Sequence, residues 1–150
     1  MQDFIHFLHD FVFFLQNTYC HKQDEKGNKV IAKELFSGRN TLLLFINTNC
    51  PRCKSLLPHL MKIKTNYDIN FILVNTDRLA DDNHIKSVIG DQITYIRSTQ
   101  ISSSYFVHVV PYAVLVNNIG EVKLSSQISN INSLFNMLIN EESFIKENLG

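Results

Sequence analysis

Residues 45–60 read FINTNCPRCKSLLPHL: an apolar run ends, two cysteines stand two residues apart, and a helical stretch begins. The fold turns on whether this pair is a redox couple, half of a metal site or two thiols in a core. If Cys50 caps the helix it opens, its sulfur meets free backbone amides and the positive end of the helix dipole. Both favour thiolate over thiol and make Cys50 the attacking nucleophile. Cys53 lies three residues on, in the first turn and on the same helix face, close enough to form a small disulfide ring and to resolve a mixed disulfide made by Cys50. Pro51 suits the first helical position, because the amide it lacks has no intrahelical partner there, and its fixed φ stiffens the loop. Arg52 adds a full positive charge beside the thiolate, which stabilises the reduced form and makes the couple more oxidising. Pro58 falls inside the helix, where it breaks the bond to the carbonyl of Lys54 and bends the axis.

Outward from this stretch the pattern alternates. Strands are predicted at 41–47, 70–75, 93–96, 112–117 and 121–125, the last two joined by a turn at NNIG, and helices at about 52–66, 82–89, 99–107 and 130–146. Strands alternating with helices, closed by a hairpin and a terminal helix, specify an α/β fold with a mixed central sheet flanked by helices. The continuous apolar runs at 41–46 and 112–116 fit strands covered on both faces. Before this body, Phe4, Phe7, Leu8, Phe11, Phe14 and Leu15 recur at three- and four-residue intervals, so residues 3–16 read as an amphipathic helix. It either packs on the core or docks on a membrane or partner, and Phe13 on its polar side favours docking. Residues 17–29 are a polar connector, dividing the chain into an N-terminal helix with connector, 1–29, and a main domain, 30–150.

A chain of 150 residues buries a proper core without staples, so a disulfide here is not a structural necessity. Basic and acidic residues balance at 14 each with no long block of one sign, which removes the basic face a nucleic-acid partner requires. Three cysteines are too few for a disulfide-dense secreted scaffold and leave the compartment open. The first fifteen residues lack a basic start, an uninterrupted apolar core and a small-residue cleavage site, and His6, His9 and Asp10 interrupt them too often for a membrane span. As written the chain reads as cytoplasmic, with an extracytoplasmic, membrane-associated location still open.

Thr41–Asn47, Cys50-Pro51-Arg52-Cys53, Lys54 and Pro58 together resemble the thioredoxin superfamily, in which an apolar strand runs into Cys-x-x-Cys, a lysine and a proline-kinked helix. The second signature of that family is a proline opening a later strand, and VVPYAVLVNNIGEV supplies it at Val110-Pro111. The resemblance implies that Pro111 is cis and faces the cysteines, and that the backbone of Val110 presents an edge on which a substrate polypeptide adds as a strand. The stretch between Cys53 and Pro111 exceeds that of minimal thioredoxins, and the excess maps to about 79–98. In this the chain is similar to the branch of thiol-disulfide reductases and methylamine-utilisation accessory proteins. Two residues depart from the pattern: Asn49 stands where tryptophan is common, and Leu44 where many relatives carry an acidic or amide residue under the active site. Without that carboxylate, taking the proton from Cys53 falls to water or another group, which favours a narrow or oxidising role.

The resemblance implies a thiol-disulfide oxidoreductase acting on protein or peptide substrates, dedicated to maturing one client, recycled by a redox partner and needing no cofactor. The competing reading is a non-catalytic binding module that uses the Val110-Pro111 edge and the N-terminal helix. No metal is expected. Zinc needs two further ligands, for which the candidates are Cys20-His21 and His59; the adjacent Cys20-His21 lacks the usual ligand spacing, and a cis-proline against the cysteines blocks an ion. Peroxide reduction is set aside because Asn47 occupies the place of the threonine that precedes a peroxidatic cysteine. Cys20 reads as a free thiol or a third exchange partner, and His108 as a surface residue or a wall of the substrate groove.

Overall fold

The computed structural model describes residues 39–97, 107–118 and 122–140. The expected helix over 3–16, the connector 17–29 with Cys20, and nearly all of the helical stretch 99–107 lie outside these residues.

A five-stranded mixed sheet organises the described chain. Its strands are β1 (Asn40–Ile46), β2 (Ile69–Asn75), β3 (Thr94–Arg97), β4 (Tyr112–Val116) and β5 (Val122–Gln127), in the spatial order β3-β2-β1-β4-β5. β1 runs parallel to β2, and β2 to β3, while β4 runs antiparallel to both its neighbours, β1 and β5. The centre of the sheet is β1, with Leu44 opposite Leu73 on one side and Ala113 on the other. Its apolar run TLLLFI is wholly buried, as expected of a central strand covered on both faces.

The helices follow from local chemistry. Helix α1 (Pro51–Leu56) gives way to a 3₁₀ turn at Leu57–His59 before α2 (Leu60–Asn66) continues. The single helix expected over 52–66 is therefore two. Pro58 removes the amide that a continuous α-helix would bond to Lys54, and the chain tightens into a 3₁₀ turn there. Helix α3 (Asp82–Ile89) opens on Asp81, whose carboxylate accepts from the amide of His84 at 3.1 Å, and closes on Gly90 at φ 75°. Helix α4 (Ile131–Ile139) begins with a reciprocal capping box between Asn130 and Ser133.

The even-numbered residues of β1, Leu42, Leu44 and Ile46, share one apolar cluster with Cys53, Leu56 and Leu60 of the broken helix, Ile85 and Ile89 of α3, and Leu134 and Leu138 of α4. This packing presses the start of α1 onto the end of β1. Because β1 and β2 are parallel, the segments that leave them, 47–50 and 76–81, emerge at the same end of the sheet. No helix among the described residues is long and apolar enough to cross a membrane.

Candidate active site

Cys50 is the N-cap of α1. It adopts extended backbone angles (φ −89°, ψ 117°), and its half-buried sulfur accepts from the amide of Cys53 at 3.3 Å. A tight turn delivers it there: the amide of Cys50 donates to the carbonyl of Asn47 at 3.1 Å, and the Asn47 side-chain oxygen accepts from the amide of Asn49 at 2.8 Å. Pro51 takes the first helical position, and Pro51 and Arg52 are both exposed.

Cys53 differs sharply from its neighbour. It has no exposed surface, and burial, reinforced by its hydrogen bond to Cys50, pushes its thiol up to about 12. The amide of Asn47, 3.4 Å from the Cys53 sulfur, opposes this only in part. Both cysteines are free thiols. Leu44 lies in the same buried cluster as Cys53 and brings it no carboxylate.

The Val110–Pro111 peptide bond is cis. The carbonyl of Val110 accepts from the thiol of Cys50 at 3.8 Å, across 60 residues of sequence. Pro111 is buried and its carbonyl accepts from the amide of Ile128 at 2.8 Å, which ties the loop to the end of β5. Cys50, Cys53, Val110 and Pro111 therefore converge, whereas His108 is exposed one turn of loop away.

One residue of this site carries no motif. Asp77, only 9% exposed, accepts from the Thr48 hydroxyl and from the side-chain amide of Asn49 at 3.4 Å, the two residues just before Cys50. It also accepts from the amide of Leu79 at 3.0 Å, and its own amide donates to Asn75 at 2.9 Å. The Thr48 hydroxyl holds the Asp77 carboxyl below the usual carboxylate range. From Asn75 the chain of bonds continues through Tyr95, at 3.0 Å, to Asp82 at 2.6 Å, and Arg97 pairs with Asp82 at 3.4 Å. The loop carrying Cys50 is thus fastened to the ends of β2, β3 and α3.

Beside that loop a groove of ≈ 580 Å³ opens between α1 with its 3₁₀ turn and α3. Thr48 and Asn49 form its end nearest Cys50.

Sheet order, helix placement and a Cys-x-x-Cys pair at a helix start facing a cis-proline define a thioredoxin-like fold. Solved structures bear out the fold. The thioredoxin domain of a thiol-disulfide oxidoreductase from Bacteroides vulgatus superposes with a TM-score of 0.63 at 22% identity, covering 79% of this chain and 89% of that one. A secreted disulfide oxidoreductase of Mycobacterium tuberculosis gives 0.61 at 19% identity, over 75% and 87% of the two chains. In sequence, the chain is similar to the methylamine utilization protein MauD. It is 29% identical to that of Methylophilus methylotrophus over 94 residues, 62% of this chain and 44% of the relative. It is 28% identical to that of Methylobacillus flagellatus over 109 residues, 70% of this chain and 53% of the relative. The chain spans about half the length of the curated relatives it matches. No family model matches it.

Proposed function

We propose that the protein is a thiol-disulfide oxidoreductase that exchanges disulfides with protein or peptide substrates through Cys50 and Cys53. The observation that carries this is the position of the Cys50 sulfur. It is half-buried, meets the Cys53 amide on one side and the Val110 carbonyl on the other, and its partner thiol sits directly beneath it.

In the reducing direction, the Cys50 thiolate attacks one sulfur of a substrate disulfide. The Cys50–substrate bond forms, the substrate disulfide breaks, and the departing sulfur takes a proton. Cys53 then loses its proton and attacks the Cys50 sulfur, closing a Cys50–Cys53 disulfide and releasing the second substrate thiol. Two electrons pass from the pair to the substrate, and a redox partner returns them. The oxidising direction reverses each step. The amide of Cys53 is aimed at the Cys50 sulfur wherever it carries negative charge. Val110 and Pro111 hold the substrate backbone, and Pro51 and Arg52 tune the pair.

The difficult step is the second, because the Cys53 thiol is pushed up to about 12 and Leu44 supplies no base. This favours a dedicated client over general disulfide reduction. The MauD relatives are named for methylamine utilisation, which fits a branch in which one such protein serves the maturation of one client. The test compares insulin-disulfide turnover by the wild type and by Cys50→Ser. Slow turnover that disappears with Cys50→Ser is expected; behaviour that is the same in both proteins identifies a binding module.

A further inference from the structure

Three large apolar side chains stand exposed among the described residues, and two of them flank Cys50: Val109 at 43% and Leu79 at 86%. Val109 adjoins the Val110 carbonyl that meets the Cys50 sulfur. Leu79 stands on the rim of the ≈ 580 Å³ groove, whose apolar lining includes Leu57, Pro58, Ile85 and Val88. A leucine so exposed costs solubility and gains no internal packing, so its position beside a concave apolar surface points to an external contact.

We propose that this groove seats an apolar side chain of the substrate polypeptide, close in sequence to the cysteine that Cys50 captures. The proposal rests on the exchange reading above and names the substrate class it selects. Covalent chemistry identifies the occupant. A substrate sulfur joined to Cys50 brings the residues on either side of it over the surface around Cys50. Asn49 lines the groove, and its Cα is about 3.8 Å from that of Cys50. An extended chain advances about 3.3 Å per residue, so a side chain within about three positions of the captured cysteine reaches the lining. Of the polar members of the lining, Thr48 and Asn49 are bonded to Asp77 and the Asp81 carboxylate caps α3, while Lys54 and His84 stand on the groove walls, so the aspartate peptides below distinguish an apolar from an acidic occupant. The far wall is α3, with Leu79 three residues before its start.

The test uses oxidised full-length protein and short peptides with a single free cysteine, the residues at positions one to three on each side being leucine, alanine or aspartate in turn. The exchange rate is followed by stopped flow, with a small disulfide, hydroxyethyl disulfide, as reference for the reduced protein. The expected result is that leucine at one flanking position speeds exchange roughly tenfold over alanine, and that Leu79→Ser reduces this ratio to about two. Leu79 is outside the core, so its replacement leaves the fold intact. Equal rates for leucine and alanine peptides, alongside cysteine-dependent turnover of the small disulfide, overturn the groove proposal alone. A leucine preference that survives Leu79→Ser overturns it as well, since the side chain then binds elsewhere. Failure to exchange with either kind of substrate overturns the catalytic reading, and this one with it.

Discussion

Cys53 is sealed from solvent while Cys50, three residues away, is half-open, and in the proposed exchange this asymmetry makes Cys50 the thiol that captures and Cys53 the one that releases. With the Cys53 thiol pushed up to about 12, only a small thiolate fraction exists near neutral pH. Release of substrate from a preformed mixed disulfide on Cys50 should therefore accelerate about tenfold per pH unit above neutrality. A rate that stays flat with pH contradicts this and implies a proton acceptor close to Cys53. Asp77 acts at the same scale but by fastening rather than by chemistry. Replacing it with asparagine should cost about 1–3 kcal/mol, the value of hydrogen bonds to a buried charge. Its carboxyl is held below the ordinary 3.8, so its contribution is complete above that pH and is lost as the pH falls through the lowered folded-state value. Denaturation of wild type and Asp77→Asn across pH 2–7 should show a stability gap that closes on the acid side. A gap that widens in acid contradicts the assignment.

At the scale of elements, the local pattern carried most of the architecture. The buried run of β1, the bounds of α3 at 82–89 and the break at Pro58 all follow from short-range rules of burial, capping and missing amides. The form of the break, a full 3₁₀ turn rather than a bend within one helix, was not legible, because it depends on how Leu57 and Leu60 both reach the core on either side of Pro58. Asp77 was missed for a related reason. Its partners Thr48 and Asn49 lie 29 and 28 residues away, and no motif joins them. The available signal was a polar N-T-D following an apolar strand parallel to β1, which puts that acid at the same end of the sheet as the cysteines. The groove depends on the distance between α1 and α3, which no sequence pattern encodes. Gly90 offers a test of element-level reasoning. Its φ of 75° closes α3, and an added Cβ would meet only the Met61 sulfur at 3.6 Å, an ordinary contact. Gly90→Ala should therefore lower stability by about 1 kcal/mol through backbone strain alone, read as a fall in the urea midpoint. An unchanged or raised midpoint contradicts that.

For the whole molecule, two segments distant in sequence meet at one end of a single sheet: the turn after β1 that carries Cys50 and the loop before β4 that carries the cis Val110–Pro111 bond. The strand order makes this meeting possible, since β1 and β4 are neighbours and antiparallel, so the end of one lies beside the start of the other. Fold and thiol pair together support an account in which Cys50 captures a substrate sulfur and Cys53 lets it go. The most direct measurement incubates Cys53→Ser and Cys50→Ser variants with a disulfide substrate and maps covalent adducts by peptide mass. The account predicts a stable mixed disulfide on Cys50 in the Cys53→Ser variant and none on Cys53 in the Cys50→Ser variant. An adduct on Cys53, or no adduct on Cys50, would contradict it.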